Sequence, residues 1–234
     1  MLPQRLTWID ETNRHSHSFL EQGDRCLFFG EFDAGAGFAG SPTNDLVANY
    51  KRTPREIAAS AYASRLQRYK NLAIREIAVG LRHQFGPADV ARLTFVPIPP
   101  SKVACDPDHC DRLERTLWMA FASPPARARG YVDADIRPLL RQTRSTEPDH
   151  RSHGDRCHYK ALLAITQIDA AQLITPVRDQ IVLFDDVLTS GKHYKVGKAR
   201  IMEVLPNHPV IGLFVARVPH VDGRAFWRSR ASEP

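Results

Sequence analysis

The sequence contains no uninterrupted apolar run of the length that a membrane-spanning helix requires, about 18 to 20 residues. Its start also lacks the basic residues and the long apolar core of a secretory signal peptide. No internal repeat or low-complexity tract is present, which argues against solenoid and fibrous architectures. We therefore expect a cytoplasmic protein with no membrane partner.

Cysteine is scarce: the chain has four, none of them in a CxxC pair, at Cys26, Cys105, Cys110 and Cys157. So few cysteines in so long a chain exclude a dense disulfide framework, and we expect reduced thiols. A zinc site would have to combine Cys105, His109 and Cys110 with Cys157 and His158, which departs from the usual spacing of two close pairs. An ordinary loop with thiols is therefore preferred to a zinc site.

The rest of the composition is that of a folded domain. The chain has 234 residues, of which 43% are hydrophobic and 25% charged, enough to build one large core. Lys and Arg number 32 against 26 Asp and Glu, and the net charge of +6 favours anionic partners such as phosphates. Aromatic and basic residues do not alternate as in a nucleic-acid groove, so a nucleic-acid partner stays open without specific support.

Short apolar runs alternate with helical patterns along the chain. Thr53, Pro54 and Glu56 form the opening of a long helical region, and a break near Lys70 or Gly80 stays open. The predicted strands are residues 24–32, 93–98, 136–140, 181–184 and 210–215, and the predicted helices are residues 57–81, 111–121, 156–165 and 196–205. Residues 141–155 are polar and aperiodic, which predicts a mobile loop.

This alternation predicts the α/β class, with an open parallel sheet flanked by helices. We expect a small β-containing N-terminal lobe, residues 1–52, before an α/β domain, residues 53–234. In open α/β sheets the ligand lies beyond the carboxyl ends of the strands. The loops after residues 97 and 184 should therefore face the same crevice.

The richest chemistry lies directly after the predicted strand 181–184. Asp185 and Asp186 are adjacent acids, which repel each other and resist burial, so their natural use is to bind a polyol, a metal or a developing positive charge. The residues that follow can present backbone N–H groups and hydroxyls at a helix start, an arrangement that suits phosphate. These residues are Thr189, Ser190, Gly191, Lys192 and His193.

This segment resembles the phosphoribosyl diphosphate (PRPP) signature of type I phosphoribosyltransferases, four apolar residues followed by D-D-V-x-T-T-G-x-T. Ser190 stands in place of the second Thr of that signature and His193 in place of the last. The neighbouring segments resemble the ComF branch of the family, which has a V-P-V-P loop after the first core strand, where this chain reads VPIPPSK. The CxxC zinc ribbon of that branch is absent, and only Asp111-Arg112 remains of its arginine-rich run.

The resemblance implies a type I phosphoribosyltransferase-like fold with the N-terminal lobe as a hood over the acceptor base. It implies transfer of phosphoribosyl from PRPP to a nitrogenous acceptor with release of pyrophosphate, assisted by Mg²⁺ held mainly by ligand and water. Asp185 and Asp186 would be the catalytic acids, and Thr189 to His193 would hold the 5-phosphate. The pyrophosphate would be bound by Pro99, Pro100, Ser101, Lys102 and Arg144.

Several alternatives stay open. The chain is either an enzyme, a PRPP- or nucleotide-sensing regulator without transfer activity, or a ComF-like accessory protein of DNA uptake or repair. The sequence leaves open whether the chain forms a homodimer. The histidines and arginines near residues 144–158 either clamp pyrophosphate or form a solvated basic surface. A P-loop is excluded by spacing, because Asp186 stands where its first Gly is required.

Overall fold

The computed structural model describes residues 2–3, 5–33, 41–146 and 159–219. Two 3₁₀ helices, Arg14–Ser16 and Ala170–Leu173, accompany the main elements. The strands are β1 (Thr7–Trp8), β2 (Arg25–Glu31), β3 (Leu93–Pro97), β4 (Asp135–Ile136), β5 (Leu140–Gln142), β6 (Thr166–Ile168), β7 (Gln180–Leu188) and β8 (Val210–Arg217). The helices are α1 (Pro42–Lys51), α2 (Pro54–Ala58), α3 (Ala63–Gln84), α4 (Pro87–Val90), α5 (Arg112–Leu117), α6 (Pro124–Arg127), α7 (Tyr159–Ile165) and α8 (Lys192–Val204).

A six-stranded sheet in the order β1-β2-β8-β7-β3-β4 forms the centre of the fold. Only β1 runs antiparallel to its neighbour, and the other four pairings are parallel. The three central strands β8, β7 and β3 are almost continuously apolar, as strands covered on both faces must be. The protein is therefore an α/β protein with a mostly parallel mixed sheet flanked by helices.

Each face of the sheet carries its own hydrophobic core. Helices α1, α3 and α5 cover one face, where Phe95 of β3 stacks on Phe121 with ring centroids 4.8 Å apart. On the other face, Tyr194 and Ile201 of α8 pack against Leu183 and Phe214. Successive apolar residues of β7 belong alternately to the two cores, and the acids lie in the second half of this strand.

The helical region after Thr53 begins as predicted and breaks elsewhere. Thr53 and Glu56 form the expected capping box of α2, but the break falls between Ala58 and Ala63, and both Lys70 and Gly80 lie inside α3. The absence of a side chain on Gly80 lets Leu2 pack closely on α3: a Cβ on this residue would lie 3.2 Å from Leu2 Cδ1. The open question of a break near Lys70 or Gly80 is thus answered by an unbroken α3.

The prediction of one strand at residues 136–140 is also wrong, because two short strands lie there instead. The chain forms β4 at Asp135–Ile136 and β5 at Leu140–Gln142, and these belong to different sheets. Pro138 lies between them, and a proline has no N–H to donate to a ladder. The Arg137 guanidinium between the two strands donates to the carbonyls of Gln172, Thr175 and Pro176, which ties this corner to a distant segment.

Residues of the predicted N-terminal lobe supply part of the central sheet. The strand predicted at residues 24–32 is β2, and it pairs in parallel with β8 from Arg25 opposite Ile211 to Glu31 opposite Arg217. The division of the chain at residue 52, and the role of a hood, stay predictions. Within the residues described, no helix is long and apolar enough to cross a membrane.

Candidate functional site

The two loops that the sequence predicted to meet do leave the same edge of the sheet. β3 and β7 are parallel neighbours, with Pro97 opposite Phe184, and Ile98 N–H donates to the Phe184 carbonyl at 2.9 Å. The loop beginning at Pro99 and the segment beginning at Asp185 therefore start side by side. The two loops are adjacent because β3 and β7 are neighbours in the sheet. The sequences of residues 93–98 and 181–184 do not determine this strand order.

The paired acids lie within β7 and do not follow it. The predicted strand ended at Phe184, whereas β7 continues to Leu188. It continues because β8 still offers partners, with Asp185 opposite Phe214 and Leu188 opposite Arg217. The acids therefore occupy a stretch of β7 that extends past the end of β3, with a strand neighbour on one side only.

Asp186 is buried and held by two cations. Its carboxylate accepts from Lys51 Nζ at 3.3 Å and from Arg112 Nε at 3.1 Å, with a second bond from Arg112 Nη2. Burial by itself would raise the pKa of Asp186, but the charges of Lys51 and Arg112 outweigh it and hold the pKa well below its usual range. Asp186 is thus an ionised partner in a buried salt bridge.

Asp185 has the opposite electrostatics. It is also buried, and its carboxyl accepts from the backbone N–H of Asp186 at 2.7 Å. Burial and the neighbouring charge of Asp186 raise the pKa of Asp185 to about 7. Two adjacent acids with pKa values driven apart can divide the work of an ionised ligand and a proton-exchanging group. In this state neither carboxyl is open to solvent.

The predicted phosphate turn joins β7 to α8. Gly191 is the N-cap of α8, a helix of 13 residues, and has φ +84°, a left-handed conformation that favours glycine. Helix α8 therefore begins at Lys192, four residues earlier than the pattern from residue 196 predicted. Thr189 is exposed, Ser190 and His193 are half-buried, and Gly191 and Lys192 are buried.

Residues 17–20, which the sequence did not implicate, lie against this turn. His17 Nδ1 donates to the Thr189 carbonyl, and Phe19 N–H donates to the Ser190 carbonyl at 2.9 Å. The Leu20 side chain packs on Gly191 so closely that a Cβ there would lie 2.8 Å from Leu20 Cδ2. One side of the turn is consequently covered by the chain itself.

The predicted pyrophosphate residues are brought together by backbone contacts. Ser101 O accepts from Thr146 N–H at 2.7 Å, which ties the loop containing Pro99, Pro100 and Lys102 to the segment containing Arg144. Ser145 strengthens this contact, since its hydroxyl accepts from Val103 N–H and donates to Asp106. Arg144 itself is exposed, while the four residues from 99 to 102 are half-buried.

A small cavity is lined by residues of both the proline loop and the phosphate turn. It has a volume of 10 Å³ and is lined by Pro99 of the predicted pyrophosphate loop, His193 of the phosphate turn, and Gln142 of β5 among others. This volume is about the smallest that holds one water molecule. Pro99 and His193, 94 positions apart by their numbers, therefore share one surface.

Sequence reasoning missed Lys51 as a site residue and registered Arg112 only as a remnant of a family motif. Nothing in the local pattern marks Lys51, because it is simply the last residue of α1. Within the described residues no three metal-ligating side chains converge. Residues 147–155 of the predicted mobile loop and residues 156–158 of the predicted helix lie outside the described residues, and with them His150, Arg151, His153, Arg156, Cys157 and His158.

The geometry therefore brings together an acid pair, a glycine turn and a proline loop at one sheet edge. In comparisons with known proteins, no family model, no curated protein and no solved structure matches the chain.

Proposed function

We propose that the chain is a phosphoribosyltransferase-like protein that binds PRPP at the carboxyl edge of β7 and β3 and transfers phosphoribosyl to a nitrogenous acceptor, releasing pyrophosphate. One observation carries the proposal. The segment from Asp185 to Lys192, with its left-handed Gly191, and the loop from Pro99 leave neighbouring parallel strands at one edge. The three kinds of group suit the three parts of PRPP, which are a phosphate, a ribose and a diphosphate.

Each group has a role suited to its chemistry. The turn from Thr189 to His193 would receive the 5-phosphate at the N-terminus of α8, where backbone N–H groups and the helix dipole favour an anion. Asp185 and Asp186 would bind the ribose hydroxyls and oppose positive charge that develops on the ring. The loop around Ser101 and Lys102, with Arg144, would contact pyrophosphate.

Mg²⁺ would be held mainly by oxygens of the ligand and by water. Both oxygens of Asp186 are already bonded to Arg112 or Lys51 in this state, so Asp185, whose pKa is raised to about 7, is the acid of the pair that would contact the ion. When bound, the ion would neutralise charge on the departing pyrophosphate.

Lys51 and Arg112 must share Asp186 with an incoming ligand. Both side chains are partly accessible, 30% for Lys51 and 15% for Arg112, whereas Asp186 is almost fully buried. The phosphates of PRPP would offer these cations other anions, so a ribose hydroxyl could reach Asp186 as the ion pairs exchange. Binding and rearrangement of the cations would then be one event.

A second candidate is a PRPP-binding sensor without transfer activity. It is favoured by the ion pairs of Asp186 and by the contacts of residues 17–20 on the phosphate turn. A regulator can use such contacts to convert ligand binding into a change of conformation, since a ligand that displaces them shifts the equilibrium between the two states.

The proposal is tested by calorimetric titration with PRPP and Mg²⁺ at pH 6 and pH 8, using the wild type, Asp185→Asn and Asp179→Asn. Asp179 is the matched control, an exposed acid paired with Arg92. Wild type and the control should bind more tightly at pH 8, where Asp185 is ionised. Asp185→Asn should bind about tenfold more weakly at pH 8, the loss of one hydrogen bond to a charged group, and should lack this part of the pH dependence.

Equal affinity of Asp185→Asn and Asp179→Asn at both pH values would contradict the role of the acid pair. Pyrophosphate release across a panel of purine, pyrimidine and amine acceptors then separates the two candidates. Release with any acceptor supports the enzyme, whereas binding without release from every acceptor supports the sensor.

A further inference from the structure

A larger cavity lies at the opposite end of β3 from the candidate site. It has a volume of 430 Å³ and is lined by residues of three segments, 122–127, 133–137 and 175–178. Cavities that bind small molecules have volumes of about 300 to 1,000 Å³. Asp135 of the edge strand β4 pairs with Thr94, near the start of β3, whereas the proline loop follows the end of β3. The two sites share no residue, so this inference does not rest on the proposed function.

Two of the arginines that line this cavity are held in place by backbone carbonyls. The Arg137 guanidinium donates to three carbonyls of residues 172–176 at 2.6 to 2.7 Å, and only 8% of the residue is exposed. The Arg178 guanidinium donates to the carbonyls of Ala91 and Asp133, one from each Nη. Each Nη of Arg178 keeps a second hydrogen that can bond to a ligand. Side chains that are fixed before binding lose little freedom on binding, which favours affinity.

The residues that line the cavity carry one more positive than negative charge. Arg137 is neutralised by Asp135, because its Nε lies 2.7 Å from the carboxylate. The Arg178 guanidinium is bonded to uncharged carbonyls, which leave its charge in place. Arg127 is a third cation in the lining, and Asp133 is the second acid. Two guanidinium charges therefore remain against one carboxylate.

Arg127 and Asp133 supply groups that the fold does not use. Within the described part of the chain, neither side chain makes a hydrogen bond or an ion pair, and both residues are exposed, so solvent reaches the cavity. A guanidinium presents its N–H donors as a fork that matches the oxygens of a phosphate, and a carboxylate accepts from hydroxyl groups. The cavity thus combines donors for an anion with an acceptor for hydroxyls.

We propose that this cavity binds a small phosphate monoester that also carries hydroxyl groups, the chemistry that sugar phosphates and nucleoside monophosphates share. The phosphate would bind to Arg127 and Arg178, whose two charges match a dianion, whereas a carboxylate would neutralise only one of them. The hydroxyl groups would donate to Asp133. Repulsion between the phosphate and the Asp133 carboxylate favours this orientation over the reverse.

The test is calorimetric titration of the full chain with glucose 6-phosphate, adenosine 5′-monophosphate and inorganic phosphate, using the wild type, Arg127→Gln and Arg129→Gln. Arg129 is the matched control, an exposed arginine that does not line the cavity. Wild type and the control should bind at least one of the organic phosphates with a Kd below about 1 mM, the range of physiological small molecules. Arg127→Gln should bind it about tenfold more weakly, the loss of one hydrogen bond to a charged group. The probe that binds identifies the source of the ligand.

Hydrogen–deuterium exchange locates the binding, because the proposed phosphate turn could accept the same probes. The organic phosphate should protect residues 122–137 in the wild type, and Arg127→Gln should reduce this protection without changing any protection of residues 189–193. The affinity for PRPP should be equal in Arg127→Gln and Arg129→Gln. Failure of this inference and failure of the proposed function are therefore distinguishable.

Asp133→Gly tests whether hydroxyl groups are recognised. Asp133 has φ +55°, a conformation that glycine adopts readily, so this variant removes the carboxylate and keeps the turn. The preference for the organic phosphate over inorganic phosphate should fall about tenfold. The proposal is overturned if this preference does not change, if neither organic phosphate binds to the wild type, if Arg127→Gln and Arg129→Gln bind equally, or if residues 122–137 gain no protection.

Discussion

Two adjacent aspartates of β7 differ in charge state because their neighbours differ. Asp186 faces Lys51 and Arg112, which lower its pKa, while Asp185 faces the carboxylate of Asp186, and burial with that repulsion raises its pKa to about 7. Adjacent acids in a sequence therefore need not be equivalent ligands. At the scale of single residues, the ion pair of Asp186 supports the fold as well as the proposed site.

We expect Asp186→Asn to lower the free energy of unfolding by about 3 kcal/mol, because it leaves Arg112 and Lys51 as buried or half-buried cations without their anion. Asp179→Asn breaks an exposed pair with Arg92 and should cost less than about 1 kcal/mol. Urea unfolding at pH 7 measures both. Equal costs would mean that the buried pair is worth no more than a surface pair.

At the scale of elements, β7 and α8 are joined by the short turn around Gly191. The left-handed residue lets the chain reverse directly from the strand into the helix, and the absence of a side chain lets Leu20 lie against the turn. Gly191 thus allows both the left-handed backbone of the turn and the close approach of Leu20. Substitutions at Gly191 and Leu20 can separate these two effects.

Gly191→Ala should destabilise the protein by about 1 to 2 kcal/mol from the left-handed backbone alone, with a further cost for displacing Leu20. In a Leu20→Ala background the same substitution should cost less, since the contact is gone and the backbone cost remains. Gly23→Ala is the matched control, because nothing lies within 4 Å of a Cβ there, and it should change stability by no more than about 0.5 kcal/mol. Thermal unfolding of the four variants measures the loss of stability that each substitution causes. If Gly191→Ala costs the same with Leu20 as with Ala at position 20, the contact with Leu20 contributes nothing to that cost.

At the scale of the whole molecule, the sheet unites the beginning and the end of the described chain. β2 pairs with β8, and its buried side chains enter both cores: Leu27 and Phe29 enter one, and Phe28 enters the other. Without β2, the apolar strand β8 would become an unprotected edge, which is a site for aggregation. The N-terminal residues are therefore tied to the same core as the candidate site.

A chain shortened to residues 53–234 should consequently fail to unfold cooperatively and should aggregate. Circular dichroism during heating and size-exclusion chromatography check this, with the full chain as the reference. A soluble fragment with a sharp thermal transition would contradict the expectation and would support the division of the chain at residue 52.

Much of the fold could be predicted because its signals are local. The apolar runs at residues 93–98, 181–184 and 210–215 correspond to β3, β7 and β8, and the capping box of Thr53 and Glu56 is present. The strand at residues 136–140 and the helix break near Lys70 could not be predicted correctly. They depend on contacts such as those of Arg137 with residues 172–176 and of Gly80 with Leu2, which join distant parts of the chain.

The sequence by itself determined that the protein is α/β, that an acid pair and then a glycine turn come after a buried apolar run, and that a proline loop comes after another, because each of these features depends on neighbours within a few residues. The tertiary structure alone decided that Asp186 is paired with Lys51 and Arg112, 135 and 74 residues away, and that His17 lies on the turn 172 residues further along. The physical reason is that pKa values and burial depend on which charges and side chains surround a group in space, and strand order and helix packing bring those groups together.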